Sequence, residues 1–96
     1  MSERPQFVVH NAADNVGVVV VEDAKAGQEL VGWVMEGDRT IRVKALADVP
    51  LGHKLAIKPL GHGDSVIKYE HDIGRAVEDI PAGGYVHAHN IKSKRW

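Results

Sequence analysis

The chain is 96 residues long, balances 12 Lys and Arg against 13 Asp and Glu, and contains no cysteine. A formal charge of −1 excludes nucleic-acid binding through a basic surface, which needs a clear excess of Lys and Arg. The lack of cysteine excludes disulfide and thiolate chemistry and suits a cytoplasmic protein, and the polar opening Met1-Ser2-Glu3-Arg4-Pro5 precedes no apolar run long enough for a signal peptide or a membrane span.

A chain of this size is expected to form one domain over 1–96, with residues 1–5 flexible and 91–96 a basic tail carrying Lys92, Lys94 and Arg95. Such a domain buries only roughly two thirds of its unfolded surface, so its core is small. The composition is 44% hydrophobic but only 5% aromatic, so that core must come from Val, Ile, Leu and Ala, which favours short strands.

In chain order, Gln6 to His10 reads as a first strand. Asn11 to Asn15 holds two Asn and one Asp, side chains that compete for backbone hydrogen bonds and favour turns. Val16 to Val21, five valines broken by Gly17, reads as a fully buried strand. A polar turn over Asp23 to Glu29 leads to the apolar segment Leu30 to Met35, and Glu36-Gly37-Asp38-Arg39 signals a hairpin. Thr40 to Ala45 alternates, placing Ile41 and Val43 inward and Arg42 and Lys44 outward. Ser65 to Tyr69 is a further strand.

One pattern recurs at unequal intervals: an apolar residue, two residues, Gly, two residues, an apolar residue. It places Gly27, Gly52, Gly63 and Gly83 at the same point and predicts one recurring turn in which glycine takes a positive φ before a strand. Pro50, Pro59 and Pro81 bar helix nearby. The only short helical candidates lie around Ala12 and Ala47. The expected fold is mostly β, a compact module of many short strands with little helix.

Five of the six histidines fall between Gly52 and Asn90, and the stretch ends in Val86-His87-Ala88-His89-Asn90. In an extended strand His87 and His89 would share one face, where two imidazoles can hold a divalent metal or an anionic substrate, with the Asn90 amide at the strand end. His53 and Lys54 point to opposite faces if Gly52 opens a regular strand, but a turn can bring both into one pocket. His62 and His71 lie in polar turns, where a solvated imidazole is the ordinary outcome. Lys68-Tyr69 can equally be a surface lysine beside a half-buried tyrosine, and Asp14-Asn15 can equally be turn chemistry.

Taken together, His10-x-x-x-Asp14-Asn15-Val16, Gly52-His53-Lys54-Leu55-Ala56, Lys68-Tyr69, Ile73-Gly74-Arg75-Ala76 and Val86-His87-Ala88-His89-Asn90 resemble, in order, the amino-terminal module of the altronate and galactarate dehydratases. That module is a SAF domain with a β-clip fold, and the resemblance covers nearly the whole chain. One departure is Glu70, which stands where the family has the glycine of Lys-Tyr-Gly.

The resemblance implies a lyase subunit. The family includes two-subunit enzymes whose small subunit has about this length and which eliminate sulfite from (2R)-3-sulfolactate to give pyruvate, alongside enzymes that dehydrate sugar acids. It implies catalytic roles for His87, His89 and His53, and substrate contacts from His10, Asp14, Asn15, Lys54, Lys68, Tyr69 and Asn90. A divalent metal, iron ahead of manganese or magnesium, is implied too, with His87 and His89 as candidate ligands or with the ion held by a larger dehydratase-like subunit. The substrate would be a small anionic hydroxy acid, and self-association of the isolated chain stays open. A non-catalytic anion or sugar-acid binding module, or a subunit that only shapes its partner, is the alternative.

Overall fold

The computed structural model describes residues 4–68, 71–87 and 89–93. Nine short strands account for its regular structure: β1 (Phe7–Val9), β2 (Val16–Val19), β3 (Glu29–Val34), β4 (Arg39–Lys44), β5 (Lys54–Ala56), β6 (Ser65–Lys68), β7 (His71–Ala76), β8 (Tyr85–Val86) and β9 (Ile91–Ser93). The described residues contain no helix, so the mostly β expectation holds; Ala12 sits in a turn and Ala47 in a bend. No helix among them is long and apolar enough to cross a membrane.

Three expectations need correcting. The valine run stops being strand at Val19, and Val20 is 44% exposed. His71 opens β7 as an exposed strand residue instead of lying in a turn. Ile91 to Ser93 is strand β9, paired with β7, and not the start of a tail.

The strands form a six-stranded sheet ordered β4-β3-β1-β2-β5-β8 and a three-stranded sheet ordered β6-β7-β9. β1 and β3 are parallel, and the other pairings are antiparallel. Because side chains alternate along a strand, β2 and β5 feed two cores at once. Val19 and Leu55 join Phe7, Val9, Leu30 and Val34 on one face. Val16 and Ala56 join Val86 on the other, against Val66 and Ala76 of the second sheet. Phe7 lies over Gly17 and Gly32 of its flanking strands, and a β-carbon at Gly32 would run into its ring.

The recurring glycine turn is real. In Lys25–Gln28, Pro50–His53, Gly61–Asp64 and Pro81–Gly84 the last N–H donates to the first carbonyl at 3.2, 3.0, 2.9 and 2.9 Å. The third residue of each is a glycine with φ of 88°, 83°, 91° or 87°. Each glycine N–H also donates to the carbonyl of a residue in a strand or, for Ala45, just past the end of one (Ala45, Val19, Ala76 and Ala56 respectively), whose own N–H donates to the carbonyl of the residue after the glycine. Two residues thus oppose one, a bulge whose first member needs the left-handed conformation that glycine adopts without cost.

The two sheets are pinned together by Asn15. Its backbone N–H donates to the Ile67 carbonyl at 3.1 Å. Its side-chain amide donates to the Ser65 carbonyl at 2.8 Å and accepts from the Ile67 N–H at 2.7 Å.

Candidate functional site

The β5–β8 ladder pairs Lys54 with Val86 and Leu55 with Tyr85. One step further along, just beyond the end of the ladder, His53 and His87 meet, with ring centroids 4.8 Å apart and planes tilted by 39°. Tyr85 shares this face. Its hydroxyl lies 2.6 Å from His53 Nδ1. Its ring stacks on His87 with centroids 5.5 Å apart and planes within 11°, and the His89 ring lies 5.6 Å away at a tilt. One phenol therefore touches three imidazoles.

His87 and His89 converge, with centroids 6.5 Å apart, but not for the reason the spacing suggested. β8 ends at Val86, so the pair flanks a turn, not a strand, and the period-two argument does not apply. Asn90 closes that turn. Its Oδ1 accepts from the His87 N–H at 2.9 Å, its Nδ2 donates to the Tyr85 carbonyl at 2.7 Å, and its own N–H donates to the His87 carbonyl at 3.0 Å. With 4% of its surface exposed, Asn90 is a buried clamp, its amide already committed to the backbone.

The other nominated residues do not gather here. Alternation turns Lys54 to the face opposite His53, as expected for a regular strand. Partial burial holds its ammonium below the usual lysine range, and the nearby charge of Lys68 lowers it further, so the two amines form a separate cationic pair. Asp14 is buried, 1% exposed, and its carboxylate accepts from the Asn11 N–H at 3.2 Å, which fixes the turn before β2. Asn15 is the sheet pin described above. His10 follows β1, with β2 lying between that strand and β5. Tyr69 lies outside the described residues.

Tyr85 was not nominated from the sequence. The signal was present: Tyr85 and His87 share a period of two, and tyrosine occurs only twice in the chain.

Beside Tyr85 and His89 is an open depression of about 280 Å³, rimmed by Leu46, Glu78 and Asp79. Leu46 is 50% exposed, and Leu51, two residues before His53, is 52% exposed. Among the described residues no group of three or more His, Asp or Glu side chains is arranged to hold a metal ion. His87 and His89 can offer two imidazoles at most, so a complete metal centre does not fit within the described part of this chain.

Comparison with known proteins agrees with the motif order. The chain is 57% identical over 90 residues to the (2R)-sulfolactate sulfo-lyase subunit alpha of Chromohalobacter salexigens, covering 94% of this chain and 96% of that one. It is 52% identical over 63 residues to the subunit alpha of Paracoccus pantotrophus, covering 66% of this chain and 94% of that protein. It is also 36% identical over 88 residues to the altronate dehydratase of Escherichia coli, which takes in 92% of this chain but only 16% of the dehydratase. The model of the altronate/galactarate dehydratase SAF domain matches residues 5–94, and the chain therefore belongs to that family.

Proposed function

We propose that the chain is the small subunit of a two-subunit carbon–sulfur lyase that eliminates sulfite from (2R)-3-sulfolactate to give pyruvate. The observation that carries this reading is 57% identity, across 94% of this chain and 96% of the other, to a protein named as a sulfo-lyase subunit alpha. The likeness to altronate dehydratase supports the same chemistry with a different leaving group, through a module that is one part of a longer enzyme.

The substrate carries a carboxylate and a hydroxyl on C2 and a sulfonate on C3. A base takes the C2 proton, and negative charge spreads onto the carboxylate as an enediolate. The electron pair then forms the C2–C3 double bond, the C3–S bond breaks, and sulfite leaves with its electrons. The released enol becomes pyruvate. The costly species is the enediolate, so donors aimed at the carboxylate matter most.

In this reading the face of His53, Tyr85, His87 and His89 meets the substrate. His87 and His89 are exposed, and their ring nitrogens bond no described residue, which leaves them available to donate to the carboxylate or take up a proton. The divalent metal, iron ahead of manganese or magnesium, is assigned in this reading to the larger partner, because the described residues of this chain gather no three-donor set. Half-exposed Leu46, which rims the depression beside Tyr85 and His89, gives that partner an apolar surface to cover.

Sulfite release from (2R)-3-sulfolactate, measured with this chain and a large dehydratase-like subunit, tests the reading. Turnover is expected with both chains and none with this chain alone. Keto-acid formation from altronate in place of sulfite release would move the assignment to a sugar-acid dehydratase. No turnover of either substrate would leave a binding module.

A further inference from the structure

We infer that Tyr85 is a positioning residue that locks neutral His53 with its proton on Nε2, so that His53 meets the substrate as a hydrogen-bond donor and not as the base. This deepens the role proposed for the histidine face and rests on that reading for the identity of the substrate group.

The geometry starts with the 2.6 Å contact between the Tyr85 hydroxyl and His53 Nδ1. That nitrogen is the hydroxyl's hydrogen-bond partner among the described residues. A phenol, with a pKa near 10, is a far stronger acid than the N–H of a neutral imidazole, so the short bond runs from the tyrosine O–H to the ring nitrogen. An imidazole that accepts at Nδ1 and is neutral carries its proton on Nε2.

Where Nε2 points follows from what it lacks. Among the described residues no buried side-chain nitrogen or oxygen is without a hydrogen-bond partner, and His53 Nε2 has none, so it is open to solvent. Both rings are also held against rotation. Tyr85 packs on the first core and stacks on His87, while His53 leans on both. The arrangement presents a fixed N–H, at low reorganisation cost, to an anionic oxygen on the substrate. The carboxylate that gains charge when C2 loses its proton is the group whose demand for such a donor grows in the transition state.

Long-range proton–nitrogen correlation NMR on the nitrogen-15-labelled chain reads the tautomer without any substrate. At a pH where His53 is neutral, Nδ1 is expected to show the shift of an unprotonated nitrogen and Nε2 that of a protonated one. Tyr85→Phe keeps the ring and its packing but removes the donor, and is expected to turn His53 into a mixture of tautomers. In the assembled enzyme the same variant is expected to lower kcat about tenfold to a hundredfold with KM within about twofold, because the donor acts mainly on the enediolate. A wild-type His53 protonated on Nδ1 overturns the inference. So does a Tyr85→Phe enzyme that raises KM and leaves kcat alone. If the tautomer is as stated but the assembly releases no sulfite, the substrate reading fails and the locked imidazole stands.

Discussion

The side-chain amide of Asn90 donates to the carbonyl of Tyr85 at 2.7 Å and accepts from the N–H of His87 at 2.9 Å, so a single buried residue bridges the tyrosine and the histidine that stack on each other. Asn90→Ala strands both backbone groups. Loss of about 1 to 3 kcal/mol in denaturant unfolding is expected, the cost of leaving buried polar groups unpaired. Activity per folded molecule should fall too, since the turn then no longer presents His87 in register with His53. Full activity in a destabilised Asn90→Ala enzyme would separate the clamp from the site.

His89 behaves oppositely. Its side chain is exposed and belongs to neither core. Removing it in His89→Ala should change stability by no more than about 1 kcal/mol. Activity of the assembled enzyme should drop about a hundredfold, the scale of losing one preorganised polar group. A variant that unfolds but keeps its activity per folded molecule would make His89 structural.

Asn15 should act on the fold alone. With its amide spent on Ser65 and Ile67, Asn15→Ala is expected to cost about 1 to 2 kcal/mol and to speed hydrogen exchange at Ile67. KM of the assembled enzyme should not move. A raised KM without loss of exchange protection would return Asn15 to the substrate contacts that the motif resemblance implied.

Lys54 carries a pH signature. Burial, and then Lys68, lower its pKa from 10.5, so the folded state binds the proton less tightly than the unfolded chain does. The charged form therefore lowers stability at neutral pH, and stability recovers as pH rises from the lowered value towards 10.5. Lys54→Met should raise the melting temperature at neutral pH, with the advantage shrinking at higher pH. Lys68→Met should raise the Lys54 pKa in an NMR titration, though not to its free value, because the larger cause remains.

Two glycines offer a matched comparison. Gly52 and Gly83 both have φ near +85°, at 83° and 87°. A β-carbon at Gly52 meets nothing within 4 Å, whereas one at Gly83 runs into the Lys44 carbonyl. Gly52→Ala should cost about 1 to 2 kcal/mol, the penalty of the left-handed conformation alone. Gly83→Ala should cost clearly more in the same urea titration, since backbone must move.

Much of this was readable from local pattern. The strand at Thr40 to Ala45 and the glycine turns follow from spacing and backbone sterics, which act within a few residues. The site was less readable because it depends on pairing between residues far apart in sequence. Nothing near His53 says that β5 lies beside β8, yet that contact alone brings it to His87 and within reach of Tyr85. The His87–His89 pair was found for a partly mistaken reason: a buried asparagine converts the expected strand into a turn, and local periodicity does not register such long-range demands on a side chain. Val20 misled in the same way, since only the tertiary path of the chain decides that it leaves the sheet.

The glycine bulge at Pro50–His53 does more than turn the chain. His53 and Lys54 are neighbours whose side chains serve opposite faces, so their assignment depends on a one-residue phase. Deleting a single residue from that turn would slide β5 by one step and transpose the two, swinging an imidazole towards the second sheet and an ammonium against Tyr85. The Gly52 N–H, fastened to Val19 at 2.8 Å, is the stop that fixes the phase. Loop-length changes there should abolish activity even where the protein still folds.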